Sequence, residues 1–364
     1  MEIIGIICEY NPFHNGHVYH INKIKELYPN SIIVLVMSGY FTERGDVSLI
    51  SKYNKVEIAL KYGVDLILEL PVLYTLNSGD YFGEAAVRIL NEAGVKKIVF
   101  GSECNDILKL KNAASMQINN NDFDELVKNY LKDGVNYPTA LSKACGTNFD
   151  SNDLLGISYI KAILKNGYDI EPISIQRTNS FIDTLSNESI ISAKNIREKL
   201  SNGYDIKKYI PDYDNNYINK IDYEKLFELL KFKIITNDNL DTFLGVDEGL
   251  HNKLKKEVLN SSNLDDLINR IKSKRYTYVR IKRMLIHILL GIKKEDMNIE
   301  NEYIKILGFN GKGKRYLKEL SNNRLSYKFD NRIRQLELRA AYLYATLTKD
   351  ESTKFDEYNK PIII

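Results

Sequence analysis

The chain has 364 residues, 44% of them hydrophobic and 27% charged, with a formal net charge of +3. That length allows two domains or one large one with a full core, and so small a net charge confines any nucleic-acid surface to local patches. Three cysteines without metal-ligand spacing (Cys8, Cys104, Cys145) exclude a disulfide framework or a cysteine zinc site. No stretch approaches the ~20 apolar residues of a membrane span, and the first apolar run is too short and too poor in basic residues for a signal peptide. A cytoplasmic protein is expected.

Ile3 to Cys8 is a continuous apolar run and predicts a buried parallel strand. His17 to Leu27 is helical, with Val18, Ile21 and Ile24 on one face. A second strand follows over Ser31 to Val36, a helix over Ser51 to Tyr62 closed by Gly63, and a third strand over Asp65 to Leu70. Gly83 to Glu92 predicts a helix, Lys97 to Phe100 a fourth strand, residues 105–165 helices, and Ile170 to Ile175 a fifth strand. This alternation is that of an open, doubly wound α/β sheet, a Rossmann-like domain with a parallel sheet, which binds ligands at strand carboxyl ends. Beyond about residue 200 the pattern turns helical, over Leu226 to Ile235, Leu250 to Val258, Leu264 to Ile271 and Arg280 to Leu290, and no convincing strand is read. The turn-rich stretch Pro211 to Tyr217 reads as a linker. The expected division is an α/β sheet domain over 1–205 and a mostly α-helical domain over 206–364.

Three of the five histidines, His14, His17 and His20, fall within seven residues, the first two in the stretch Asn11-Pro12-Phe13-His14-Asn15-Gly16-His17 that follows the first strand and His20 in the first turn of the helix after it. Gly16 would let the backbone approach a phosphate, and the helix start would offer free N–H groups and a positive dipole end. His14 and His17, three apart, point to the same side and can donate to a phosphate whose charge rises during displacement. Asn11 and Pro12 shape the turn, and His20 reads as a supporting residue. Neither GxGxxG nor GxxxxGK[ST] occurs.

The His-x-Gly-His pattern after a first strand resembles the HIGH-type nucleotidyltransferase superfamily. Ile191-Ser192-Ala193-Lys194-Asn195-Ile196-Arg197 has the place and outline of its second motif, in which Ser192 and Arg197 are suitable phosphate ligands. Taken alone it is a helix start with Ser192 as N-cap. The ordered stretches Glu9 to His17, Met37 to Phe41 with Arg44-Gly45, Phe100 to Glu103, Asn152 to Gly156 and Lys274 to Thr277 together resemble the bacterial tRNA(Met) cytidine acetate ligase family. Glu43, where that family tends to have Gln, and Lys194-Asn195 depart from its pattern.

The resemblance implies an ATP-dependent ligase that makes acetyl-adenylate from acetate and acetylates the N4 amino group of the wobble cytidine of elongator tRNA(Met). It implies His14 and His17 as catalytic residues. It implies ATP binding by Ile7, Cys8, Glu9, Tyr10, Asn11, Pro12, Phe13, His14, Asn15, Gly16, His17 and His20, completed by Gly101, Asn152, Arg177, Ser192 and Arg197. Mg²⁺ is expected with ATP, with Glu9 or Asp46 as candidates to hold it through water. No resident metal site, membrane contact or obligate protein partner is read.

Between Asp266 and Glu295 the sequence has nine Lys or Arg and no acid. Lys272, Lys274, Arg275, Tyr276, Arg280 and Arg283 interleave bases with aromatics, a pattern suited to RNA phosphates and unpaired bases, although Tyr276 and Tyr278 would serve equally as core residues. Gly311-Lys312-Gly313-Lys314-Arg315 is a second candidate patch, balanced against a plain lysine-rich turn. Two alternatives remain open: a small-molecule adenylyltransferase, and an RNA-binding protein with a degenerate nucleotidyltransferase domain.

Overall fold

The computed structural model describes residues 1–119, 122–135, 137–177, 189–212, 217–247, 249–274, 276–299, 303–320, 324–326 and 331–364. In chain order the first elements are β1 (Ile3–Cys8), α1 (Asn15–Leu27), β2 (Ile32–Ser38), α2 (Lys52–Lys61), β3 (Leu66–Leu70), α3 (Val72–Thr75), α4 (Gly79–Glu92) and β4 (Lys97–Ser102). Then come α5 (Ile107–Asn119), α6 (Phe123–Lys132), α7 (Tyr137–Ala144), α8 (Ser151–Asn166), β5 (Glu171–Gln176) and α9 (Ala193–Ser201). The second half carries α10 (Tyr223–Thr236), α11 (Leu250–Leu259), α12 (Leu264–Ile271), α13 (Tyr278–Leu290), β6 (Ile304–Phe309), α14 (Gly311–Glu319), β7 (Leu325–Ser326), α15 (Arg332–Thr348) and β8 (Ile362–Ile363).

The sheet runs β5-β4-β1-β2-β3, all parallel. Chain progression reverses between β1 and β4, so their carboxyl ends flank the crevice where such sheets take ligands. Alternate residues of β1 and β2 feed two cores. Ile4, Ile6, Ile33 and Leu35 pack with α1, α2 and α9, while Ile32, Val34 and Val36 pack with α4, α8 and the helices of the second half. Burial on both faces is why these strands read as continuous apolar runs.

The second half is not free of strands. β6 pairs antiparallel with β3, and β7 and β8 pair with β6. Lys305 and Gly308 interrupt the apolar signal of β6. Lys305 is buried against Glu357, and Gly308 lets β6 pass α2, where a Cβ would come within 2.6 Å of Val56 Cγ1. A boundary at 205/206 therefore does not part sheet from helices. The chain leaves the sheet, builds α10 to α13, and returns. Residues 213–216 of the expected linker lie outside the described residues.

A buried ionic knot ties the returning segment down. Lys52 of α2 meets Glu69 of β3 at 2.7 Å and also Glu357, which in turn holds Lys305. Glu337 lies beside them and accepts the Val72 N–H. No helix of the described residues is long and apolar enough to cross a membrane.

Candidate active site

Helix α1 begins two residues earlier than its apolar pattern predicts, because histidines cap it. His14 is extended (φ −143°, ψ 171°), and its Nδ1 accepts the Gly16 N–H at 3.0 Å. His17 Nδ1 accepts the His14 N–H at 3.1 Å. The two imidazoles thus perform the reciprocal capping that Ser and Glu perform in a capping box.

This arrangement fixes the tautomers. A neutral imidazole whose Nδ1 accepts a hydrogen bond carries its proton on Nε2. Burial, then Arg177 and Arg197, pushes His14 down to about 3. Burial, then His14 and His20, holds His17 well below its ordinary value. Burial, then Arg177, pushes His20 down to about 4. The His14 and His17 ring centroids are 3.8 Å apart, and Tyr10 packs edge-on against His17 at 4.6 Å. Both histidines line a cleft of about 1960 Å³ at the carboxyl edge of the sheet, as do His20, Ile7, Cys8, Glu9, Tyr10, Asn11 and Gly16.

Two expectations change here. The first-turn amides are not free for an anion: Asn15 N–H donates to the Tyr209 carbonyl at 3.0 Å, Gly16 N–H to His14, and His17 N–H to the His14 carbonyl at 2.8 Å. Gly16 is needed for the histidine itself, since a Cβ there would come within 2.7 Å of His14 Cε1. Pro12, Phe13 and Asn15 do not line the cleft. Phe13 is buried against Tyr10 and Tyr62, and the Asn15 amide donates to the carbonyls of Ser189 and Lys208.

At the end of β4, Gly101, Asn152 and Arg177 come together around a residue the sequence reading did not select. Glu103 accepts the Asn152 amide at 2.5 Å and the Asp153 N–H at 3.1 Å, and faces Arg177 Nε at 3.6 Å. A Cβ on Gly101 would come within 3.2 Å of Arg177 Cγ. Phe100-Gly101-Ser102-Glu103 contained the signal, but a carboxylate at a strand end attracts no attention until its partners are known.

Ser192 caps α9, accepting the Asn195 N–H at 3.2 Å, and lines the cleft. The cap orients Arg197, which donates to the Asn11 carbonyl at 2.7 Å and lies 3.8 Å from Asp46. The carboxylates considered for Mg²⁺ do not fit a resident site. Asp46 is engaged by Lys282 and Arg197. Glu9 accepts the Glu43 N–H at 2.6 Å, and burial raises it to about 7.

The basic stretch divides into two groups. Lys272 and Lys274 are exposed at the cleft mouth. Arg283 turns inward to Glu43 at 2.5 Å, and Arg280 pairs with Asp247 at 3.4 Å while its guanidinium covers the Tyr276 ring at 4.7 Å. Tyr276 is buried, so it is a support for Arg280 rather than an open stacking platform. Arg275 lies outside the described residues. Across the mouth, Lys128 and Lys132 of α6 also line the cleft. The sequence reading missed this pair; their spacing of four on one helix was the available signal.

The second lysine patch lies at the other end of the sheet. Lys312 and Arg315 line a separate hollow with Ser31 and Asp65, which precede β2 and β3. A Cβ at Gly313 would come within 2.0 Å of the Asp65 carbonyl, so that glycine serves the packing of α14.

With this geometry in view, known proteins give a consistent match. The family model described as HIGH Nucleotidyl Transferase matches residues 1–359. The tRNA(Met) cytidine acetate ligase of Caldicellulosiruptor saccharolyticus is 36% identical over 391 residues, covering 99% of this chain and 96% of the relative. That of Clostridium perfringens is 36% identical over 400 residues, covering 100% of both. The crystal structure of apo Thermotoga maritima TmcAL superposes with a TM-score of 0.86 at 28% identity over 100% of both chains. The same protein bound with alpha-thio ATP superposes with a TM-score of 0.84 at 27% identity. The chain belongs to the HIGH nucleotidyltransferase family and, within it, to the tRNA(Met) cytidine acetate ligases.

Proposed function

We propose that this chain activates acetate with ATP and transfers the acetyl group to the N4 amine of the wobble cytidine of elongator tRNA(Met). In the first step a carboxylate oxygen of acetate attacks the α-phosphorus. The P–O bond to the β-phosphate breaks, and pyrophosphate leaves with the electron pair. In the second, the cytidine amine attacks the acetyl carbon, the C–O bond to AMP breaks, and the amine sheds a proton. Activation is required because a free carboxylate is a poor acyl donor and an exocyclic cytosine amine a weak nucleophile.

One observation supports this reading above others: the paired Nε2–H donors of His14 and His17, locked by backbone bonds to their Nδ1 atoms at the β1/β4 crevice. Donors fixed before reaction need no reorganisation as charge grows on the α-phosphate oxygens. Arg177 and Arg197 supply positive charge to the phosphates, and Ser192 acts through the α9 cap that aims Arg197. Glu103 orients Asn152 and Arg177 for the nucleoside end. Mg²⁺ enters as the counter-ion of ATP, as part of the substrate. Lys272 and Lys274, with α6 opposite, receive the anticodon loop, and α10 to α13 form the RNA-facing wall. The reaction belongs in the cytoplasm, where its substrates are.

The test is incubation of the protein with ATP, labelled acetate and elongator tRNA(Met), followed by nucleoside analysis. Label in N4-acetylcytidine, absent when the wobble base is uridine, supports the proposal. AMP transfer to a small phosphate ester without acetate would replace it with the small-molecule adenylyltransferase. RNA binding without nucleotide turnover would replace it with the degenerate domain.

A further inference from the structure

The turn between β2 and α2 joins the two halves of the cleft. Thr42 N–H donates to the Asp46 carbonyl at 3.0 Å, Asp46 N–H to Thr42 Oγ1 at 3.0 Å, and Phe41 bridges Val47. The turn is therefore closed on itself. Gly45 has φ +76°, and a Cβ there would stand 3.0 Å from the Arg283 backbone nitrogen, so the turn rests directly on the α13 backbone. Each acidic side chain of the turn faces α13: Glu43 pairs with Arg283 and Asp46 with Lys282. The other side of the turn faces the nucleotide loop. The Glu43 N–H donates to Glu9 at 2.6 Å, and Asp46 lies 3.8 Å from Arg197, which holds the Asn11 carbonyl at 2.7 Å.

The Lys282 side chain is only 16% exposed, with its ammonium committed to Asp46. Lys272 and Lys274, by contrast, are exposed and have no ion-pair partner among the described residues. Lys282 is thus poorly presented to an RNA phosphate and well presented to the turn. Without it, Asp46 would keep Arg197 as its remaining ion-pair partner among the described residues and would draw that guanidinium away from Asn11, three residues before His14 of the His14–Gly16 cap.

We infer that Lys282 is a positioning residue for the nucleotide step, acting through Asp46 on Arg197, and that α13 serves ATP binding as well as RNA. The inference rests on the reading of this cleft as an ATP site. It departs from the simplest view of a basic helix as an RNA platform only.

The experiment compares wild type with Lys282→Met, Lys282→Arg, and Lys282→Met combined with Asp46→Asn. ATP binding is measured by calorimetry without acetate or tRNA, and tRNA(Met) binding by fluorescence anisotropy. Lys282→Met is expected to weaken ATP binding about tenfold while changing tRNA affinity less than about twofold. Lys282→Arg should retain ATP affinity, and adding Asp46→Asn should recover at least half of the logarithmic loss, because the unbalanced carboxylate is gone. The two rescues separate positioning from simple unfolding. Unchanged ATP affinity in Lys282→Met, or a loss confined to tRNA, would overturn the inference. Failure of the acetate-ligase reading shows elsewhere, as wild type that binds ATP yet yields no acetylcytidine.

Discussion

His14 Nδ1 accepts the Gly16 N–H at 3.0 Å, so one imidazole both caps a helix and presents its second nitrogen to the cleft. The two duties can be separated. Asparagine is an excellent N-cap and places its amide near the Nδ1 position, but it does not reach Nε2. His14→Asn should therefore keep thermal stability within about 1 kcal/mol and lower acetate-dependent ATP–pyrophosphate exchange by about 10²-fold or more, the usual loss for an oxyanion donor. His14→Ala should lose both. Equal exchange in His14→Asn and wild type would remove His14 from the chemistry.

Gly16 gives a second test of the same contact. Its missing Cβ is filled by the His14 ring, with Cε1 2.7 Å from where that atom would be. Gly16→Ala forces the ring to move, at a cost of about 1–3 kcal/mol. Exchange should fall although no functional group has been deleted. If Gly16→Ala is as active as wild type, the ring position is not critical.

The histidine cluster also predicts a pH dependence of stability. Burial pushes His14 down to about 3 and His20 and His287 down to about 4, and His17 lies well below its ordinary value. Between pH 6.5 and these values the unfolded chain binds protons that the folded chain refuses. The stability is therefore fully present above about pH 6.5 and is lost as pH falls, with each histidine contributing up to about 1.4 kcal/mol per pH unit. Glu9, raised to about 7, and Asp356, raised to about 6, act in the opposite sense. The histidine contribution is therefore read as the melting temperature of wild type minus that of a His20→Gln, His287→Gln variant, a difference that should be level from pH 7.5 to 6.5 and fall steeply from 6 to 4.5. A difference that stays level down to pH 5 would mean that these rings are not held neutral.

The parallel sheet and its loops were legible because Ile3 to Cys8 and its neighbours are apolar without interruption, and because three histidines in one short segment are hard to assign to packing. What those histidines bond to was not legible. The pattern suggested amides free for a phosphate, whereas His14, the Tyr209 carbonyl and the His14 carbonyl take them. Arg283 read as an RNA ligand because its neighbours are basic. Its partner Glu43 lies 240 positions away, and no local pattern encodes such a pair. β6 escaped for a related reason: Lys305 looks solvated until Glu357, 52 residues later, is brought beside it.

That same pairing makes Lys52 critical for stability. It is fully buried between Glu69 and Glu357. Lys52→Met would leave a carboxylate-rich pocket with Lys305 as its remaining ion-pair partner among the described residues, and breaking a buried ion pair on one side costs on the order of 3–5 kcal/mol. Chemical denaturation should show that loss. Adding Glu69→Gln should recover part of it, because less buried charge is stranded. A Lys52→Met variant as stable as wild type would show that the knot contributes no net stability.

RNA binding offers the last test, because the lysines at the cleft mouth differ from those that turn inward. Lys272 and Lys274 on one side and Lys128 and Lys132 on the other are exposed along the same opening. Each lysine that neutralises a phosphate releases counter-ions, contributing about 0.7–0.9 to the slope of log affinity against log salt. Lys274→Ala and Lys128→Ala should each weaken tRNA(Met) binding and flatten that slope by about this amount, and together by about twice as much. Tyr276→Leu should behave differently. The ring is buried beneath Arg280, so its loss should lower the melting temperature while leaving the salt slope unchanged. If Tyr276→Leu flattens the slope as Lys274→Ala does, the ring is exposed to RNA after all; if Lys128→Ala leaves it unaltered, RNA enters along α13 alone and α6 is not its second wall.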